Sequence, residues 1–184
     1  SSSVDISTLT VKFAPLASFF NWQPVAIFNP KGTKIILSKN DQGSFWVMPK
    51  TDNSKKTNLQ IRFNLKEPTE IVFNPSEITL LAKGNIGLNL GKKKIHGAIN
   101  LESKKQGSIY FSGKGYWDGL EFQTKAKIDK LKLGILQDIL GNNSNIIAKG
   151  DINGDLNLGI KKGFVSCTGD LNVKNLTLKG GILS

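Results

Sequence analysis

The chain has 184 residues, a net charge of +11 and one cysteine, Cys167. The length suits one domain or one segment of a longer protein, the single cysteine excludes an internal disulfide framework, and no apolar run is long enough to span a membrane. The charge favours an anionic partner. Arg62 is the only arginine, so the bidentate contacts that read phosphate and guanine are nearly absent and nucleic acid is not an expected partner. The lysines cluster between apolar runs, where they would line turns or face an anionic membrane surface.

Apolar and polar residues alternate over short runs in the first third of the chain, which predicts strands. Residues 4–13 form the first run, and the next stretch, APLASFFNWQP, predicts a short helix that ends before Pro24. Strands are then expected over VAIF, TKIILS and GSFWVMP, each bounded by Gly, Pro, Asn or Asp. KTDNSKKTN, which follows, has the composition of a loop.

From residue 59 onward the alternation is steady, and hairpin-length turns such as GKKK and SKKQG separate the runs. This pattern predicts an antiparallel meander. The one break, LKLGILQDILG, has apolar residues at helical spacing and predicts a second short helix near residues 133–140. Glycines recur on the apolar face, at positions 97, 113, 115, 150, 154 and 169. They contribute no core volume there and let a sheet curve sharply, although a closed β-sandwich or small barrel remains an alternative.

The sequence DINGD, residues 151–155, begins like a calcium loop and then departs from it. An EF-hand loop needs a glycine at position 6 and a glutamate at position 12, whereas this chain has Leu156 and Lys162 there. The even-numbered residues from Ile146 to Ile160 are all apolar or glycine. Such a period of two indicates a strand whose polar face carries DINGD, so no metal site is expected.

No catalytic constellation can be assembled from the sequence. His96 is the only histidine and is expected on the polar face of its strand, while Cys167 is expected on an apolar face as a buried, inert thiol. A zinc set would need further histidines or cysteines, and no phosphate-binding or nucleophile motif occurs. The glycine-rich GKGYWDG, residues 113–119, fits a hairpin turn. We therefore expect a protein that is not an enzyme and uses no cofactor.

One segment, FNPKGTKIILSKNDQGSFWVMP, resembles a recurring unit of AsmA-like proteins and of their TamB branch. The unit has an Asn29–Pro30 start, an apolar strand, a D-x-G turn at Asp41–Gly43 and an aromatic strand that ends at Pro49. LASFFNWQPVAIF is similar to the helix that precedes this unit, and LGILQDILGNNSNIIAKGDINGDLNL to the family's short helix followed by hairpins. The resemblance covers nearly the whole chain.

The resemblance implies an all-β fold: an antiparallel meander with one or two short helices, curled into a U-shaped, taco-like groove whose concave face is apolar. Residues 1–184 would form one elongated segment of a larger protein, with an N-terminal unit over 1–50 and repeated hairpins over 51–184. The whole protein would be anchored in the inner membrane of a Gram-negative or cyanobacterial cell, or in a plastid envelope. It would cross the periplasm and carry phospholipids between the inner and outer membranes.

The expected partners are therefore phospholipid acyl chains, with an anionic membrane surface as a further one. Apolar residues of the alternating runs would line the lipid groove: Leu59, Ile61, Phe63, Leu65, Ile86, Leu88, Leu90, Ile95, Ile99, Leu101, Ile109, Phe111, Leu120, Phe122, Ile128, Ile146, Ile152, Leu156, Leu158, Ile160, Val165, Leu171 and Val173.

Two other functions stay open. The chain could be a scaffold or chaperone segment that assists outer-membrane protein assembly or protein translocation, by pairing a sheet edge with client strands. Its partner would then be an outer-membrane assembly factor of the Omp85 type. A closed β-sandwich that binds, for instance, carbohydrate is the third, and it would need an exposed aromatic platform that only residues 110–122 could supply.

Overall fold

The computed structural model describes residues 2–38, 58–74, 77–103, 106–135, 146–161 and 164–180. Nine strands form one sheet in which every strand lies beside its neighbours in sequence. The strands are β1 Ser3–Phe13, β2 Val25–Ser38, β3 Gln60–Asn74, β4 Ile78–Asn89, β5 Lys94–Ser103, β6 Gly107–Tyr116, β7 Glu121–Lys132, β8 Ile146–Lys161 and β9 Phe164–Gly180. The predicted all-β meander is confirmed.

Helix α1 spans Pro15–Asn21 between β1 and β2. Pro15 opens it, at a position where the missing N–H has no partner in any helix. Trp22 ends it in the left-handed conformation, with a φ of 53°. A second helical turn begins at residues 133–135, and the rest of the helix predicted near 133–140 lies outside the described residues.

Among the described strands, seven neighbouring pairs are antiparallel and one pair, β2 with β3, is parallel. Phe28 lies opposite Phe63 there, and Ile35 opposite Ile71. A parallel pair cannot be closed by a hairpin turn, and the sequence pattern gave no sign of it. Residues 39–57 connect the two strands; they include the predicted strand GSFWVMP, the D-x-G turn and the predicted boundary at residue 50, and they lie outside the described part.

Strands β2 and β3 are each longer than the sequence runs predicted. VAIF and TKIILS belong to one strand that passes through Pro30, and β3 likewise continues through Pro68. Both prolines lie at register shifts: β2 shifts against β3 between Phe28 and Lys34, and β3 against β4 between Leu65 and Thr69. A proline has no N–H to donate to a ladder, so an irregular site of this kind accommodates it without ending the strand.

The sheet is open and strongly curled. Its edge strands are β1 and β9, which do not pair with each other. Ile78 of β4 and Ile152 of β8 nevertheless belong to one buried cluster, which also contains Ile135. On a flat sheet β4 and β8 would be roughly 19 Å apart. The sheet must therefore bend around its apolar side, and the closed sandwich or barrel is not formed by the described strands.

Candidate functional site

The strand register aligns apolar residues into one continuous face. From β2 to β4, Phe28 lies opposite Phe63 and Phe63 opposite Ile86. At the other edge, Ile160 of β8 lies between Phe122 of β7 and Val165 of β9. The opposite face is polar, with successive partners Lys83, Asn100, Tyr110, Lys127, Asp155 and Asp170. Because side chains alternate along each strand, this register places most apolar side chains on one face and most polar side chains on the other.

The apolar face of the first six strands surrounds a cavity of about 630 Å³, which we call the groove cavity. The rings of Phe28 and Phe63 stack in its wall with centroids 5.2 Å apart. Residues of β1 and β6 border the same space, so the sheet curls far enough to bring distant strands around one volume. Its wall consists of Val4, Ile6, Leu9, Phe28, Pro30, Thr33, Ile35, Phe63, Leu65, Thr69, Ile71, Ala82, Ile86, Ile99, Leu101 and Phe111.

Thr33 adds a polar group to this apolar wall. Its side chain is buried, and among the described residues its Oγ1 is the buried side-chain polar atom that has no hydrogen-bond partner. An unpaired buried hydroxyl costs about 1–3 kcal/mol. The Thr33 hydroxyl is therefore a destabilising group in the cavity wall.

The apolar face is covered at the strand end where β7 finishes. A bulge between Ile128 and Leu131, with Lys130 at a φ of 48°, shifts the alternation and places Leu131 opposite Ile152. Leu131 and Ile135 are each 2% exposed, and Leu133 packs against the same cluster. The helical turn at 133–135 thus closes this end of the curled sheet with apolar side chains.

At β9 the same face is open to solvent. Leu171, Val173 and Leu178 are exposed there. Cys167 lies opposite Leu158, on the apolar face as predicted, but it is exposed and the prediction of a buried thiol is wrong. The physical reason is that β9 is an edge strand, and no element of the described ranges packs over it.

All but two of the predicted lining residues fall into four groups. Phe63, Leu65, Ile86, Ile99, Leu101 and Phe111 line the groove cavity. Ile95 and Phe122 border an adjoining cavity of about 180 Å³, and Ile109, Ile128 and Ile152 belong to or pack against the buried cluster. The same face carries, outside these spaces, Leu59, Ile61, Leu88, Leu90, Leu156, Leu158, Ile160, Val165, Leu171 and Val173. Ile146 pairs with Gly180, whereas Leu120 is exposed in the turn before β7.

Several wall residues were missing from the predicted set. Val4, Ile6 and Leu9 of β1, with Phe28 and Ile35 of β2, supply much of the cavity. Their alternation was visible in the sequence, and it was the parallel pairing of β2 with β3 that placed them beside Phe63. Leu131 and Ile135 had no such signal, because the β7 bulge interrupts the period of two.

His96 and the polar residues of DINGD lie on the polar face of the sheet. His96 is exposed, and no group of metal-ligating side chains occurs in the described ranges. Asp151 of DINGD accepts a hydrogen bond from Lys132 and another, at 3.5 Å, from Asn175. The Lys132 ammonium lowers the pKa of the Asp151 carboxyl. Asn153 accepts a bond from the Lys130 backbone N–H at 3.0 Å.

Comparison with protein-family models, with curated proteins and with solved structures gives no match to this chain. The resemblance to AsmA-like proteins therefore stays a prediction. Within the part of the chain that the structure describes, no helix has the length and hydropathy needed to cross a membrane.

Proposed function

We propose that the groove cavity binds the hydrocarbon chain of a lipid, and that this chain is a segment of an envelope protein that carries phospholipids between membranes. One observation carries the proposal. Among the described residues, the side chains that line the cavity of about 630 Å³ are apolar apart from Thr33 and Thr69. Apolar space of this extent, open on a curled sheet, suits a ligand without charge or directional contacts.

The volume suits one acyl chain. A methylene group occupies about as much space as a water molecule in the liquid, about 30 Å³, so a cavity of about 630 Å³ holds roughly 20 methylenes. Each methylene removed from water contributes about 0.8 kcal/mol. In a bilayer the same groups are already out of water. Transfer between bilayer and groove therefore changes the free energy little, and loading and release are both feasible.

The same apolar face would also accommodate the rest of a phospholipid. The second chain of a phospholipid would extend along the open apolar residues toward β9, and its headgroup would stay in solvent. Binding of this kind needs no catalytic residue and no cofactor, so we propose a transfer protein, not an enzyme. A periplasmic location, between the two membranes, is where such a groove would shield lipid from water.

The test is native mass spectrometry, with lipid extraction, of the chain expressed in bacteria. The informative variant is Ile99→Asp, which places a charge in the cavity wall between Gly84 and Phe111. Its matched control is Asn100→Asp, which adds the same charge one residue further, on the polar face opposite Tyr110. A carboxylate cannot be desolvated in an apolar site without a large cost.

We expect co-purified phospholipid with wild type and with Asn100→Asp, and its loss with Ile99→Asp. Circular dichroism of all three proteins checks that the strands are retained. As a second variant, Leu65→Trp fills the space beside Gly84 without adding charge, and it should also reduce bound lipid. A folded wild-type protein that carries no lipid, even after incubation with phospholipid vesicles, would refute the proposal.

A second candidate function rests on the sheet edge. Strand β9 is 17 residues long and, among the described strands, has a neighbour on one side only. A free edge of this length can pair with an extended client strand, as the scaffold or chaperone alternative requires. Cross-linking of a photoreactive group on Cys167 to an unfolded outer-membrane protein, with no lipid bound, would favour this alternative.

A further inference from the structure

One end of the strands is rich in aromatic side chains. It comprises residues 12–24, 89–94, 114–122, 159–161 and 164–166, and we call it the aromatic end. Among the described residues it contains Phe13, Phe19, Phe20, Trp22, Tyr116, Trp117, Phe122 and Phe164. At the opposite end, Phe73 and Tyr110 are the aromatic residues within three positions of a described strand terminus.

Helix α1 at this end is oriented inside out. Leu16, Phe19 and Phe20 lie on one helical face and are 75%, 67% and 77% exposed. The side toward the sheet carries the small residues Ala17 and Ser18, which are half-buried. A surface helix normally buries its large apolar side chains. This one presents them to solvent, which is typical of a helix that meets a second apolar phase.

The helix is held firmly in this orientation. The Ser18 hydroxyl donates to the Ala14 carbonyl at 2.8 Å and accepts from the Val25 N–H at 2.9 Å. The Ala14 N–H donates to the Val25 carbonyl at 3.0 Å, and Val25 is fully buried. The rings of Phe19 and Trp22 stack at 5.9 Å. The aromatic side chains are therefore preorganised, and little ordering entropy opposes their insertion.

The same end is basic. Its described residues include the lysines Lys12, Lys92, Lys93, Lys94, Lys114 and Lys161, against two acidic residues, Asp118 and Glu121. Lys93 Nζ is 2.8 Å from Asp118 Oδ2, so that pair is neutral as a unit. The backbone N–H of Trp117 also donates a hydrogen bond to the Lys93 carbonyl at 3.0 Å, and this bond joins the two turns. Once this pair is set aside, five lysines and one carboxylate remain at the aromatic end.

We propose that the aromatic end docks on an anionic phospholipid membrane. Trp, Tyr and Phe side chains beside lysines are the composition that settles at a membrane–water interface. Leu16, Phe19 and Phe20 would enter the acyl boundary, and Trp22 would lie at headgroup depth. The lysines of the aromatic end would contact anionic headgroups.

Charge complementarity favours a membrane rather than a protein as the partner of the aromatic end. Helix α1 contains no charged residue, so its exposed face offers no selective polar contact, and most of the lysines lie on other turns of the same end. A fluid anionic surface satisfies both features without a specific arrangement. The proposal does not rest on lipid binding in the groove cavity, since the aromatic end and the cavity wall share no residue.

The experiment is flotation of the whole chain with vesicles of phosphatidylcholine alone or mixed with phosphatidylglycerol. The test variant is Phe19→Gln with Phe20→Gln, which keeps good helix formers at two exposed positions. The matched control is Ile147→Gln with Leu178→Gln, two exposed apolar residues at the opposite strand end. We expect the test variant to lose vesicle affinity by about tenfold or more, because two large apolar side chains no longer leave water, and the control to match wild type.

Further measurements identify the mode of binding. Lys92→Gln with Lys94→Gln should weaken binding to the anionic vesicles several-fold and leave the weak binding to phosphatidylcholine unchanged. Brominated lipids should quench tryptophan fluorescence in wild type, and Trp22→Phe should reduce that quenching, since Trp117 remains at the same end. Ile99→Asp should float like wild type even if it carries no lipid, which separates docking from cargo binding. No flotation of wild type with anionic vesicles, or equal loss in test and control variants, would overturn the proposal.

Discussion

At the scale of single residues, Thr33 is the most informative position of the cavity wall. Its buried hydroxyl has no partner, so Thr33→Val, which keeps the shape and removes the hydroxyl, should stabilise the lipid-free chain by about 1 kcal/mol. Binding of phospholipid should not change, because the buried hydroxyl is out of reach of a ligand in the cavity. Urea unfolding and a lipid-binding titration measure the two quantities. Thr79→Val, at an exposed position of β4, is the control that should change neither.

Asp151 provides a second residue-scale prediction, on the polar face. The hydrogen bond and charge of Lys132 hold the pKa of its carboxyl below the ordinary value of 3.8. The folded state therefore favours the ionised form, and this stabilisation is present above pH 3.8 and lost as the pH falls through the lowered pKa. Unfolding of wild type and Asp151→Asn by urea should thus differ above pH 4 and converge in more acidic solution. A difference that persists unchanged to pH 2 would contradict the assignment.

At the scale of elements, glycines set how closely the strands of the curled sheet approach. Gly84 in β4 has a φ of 147°, and a Cβ built there would lie 2.1 Å from the Ala98 carbonyl oxygen of β5. Gly84→Ala should therefore destabilise the chain by about 1–3 kcal/mol, because backbone and not a flexible side chain must move. Thermal unfolding measures the loss. Gly134→Ala is the matched control, since a Cβ there meets nothing within 4 Å; an equal loss in both variants would refute the argument.

The alternation of residues predicted the faces of the strands much better than their partners. Side chains on a strand have a period of two whatever lies beside them, so Phe63, Ile99 and Phe111 could be assigned to the apolar face from sequence alone. The parallel pairing of β2 with β3 could not, because it depends on where the chain returns after Ser38. The β7 bulge that carries Leu131 inward was equally hidden, since one extra residue changes the phase of the pattern.

The inverted helix α1 shows the same limit in another form. Its sequence predicts a short helix. It does not predict that Ser18 faces the sheet while Phe19 and Phe20 face solvent. That orientation follows from the bonds of Ser18 to Ala14 and Val25. The unpaired hydroxyl of Thr33 is likewise a property of the assembled cavity. Local periodicity thus determines which residues are apolar and aligned, and tertiary contacts determine which of them remain available to a ligand.

At the scale of the whole molecule, the open sheet leaves two long edges whose apolar face is exposed. Strand β9 presents Leu171, Val173, Leu176 and Leu178 to solvent, and a long apolar edge without charges on its inner face pairs readily with a second strand. We therefore expect the chain to self-associate as its concentration rises, with an increasing sedimentation coefficient in analytical ultracentrifugation. The association should proceed through β9 and continue its apolar face from one copy to the next.

An inward lysine tests this association. Leu171→Lys places a charge on the apolar face opposite Gly154, where edge pairing would bury it, and it should keep the chain monomeric over the same concentrations. Asn172→Lys adds the same charge one residue further, on the polar face opposite Asn153, and should associate like wild type. If both lysine variants were equally monomeric, net charge and not burial at the edge would govern association. If wild type itself stayed monomeric, the exposed face of β9 would not be an association surface.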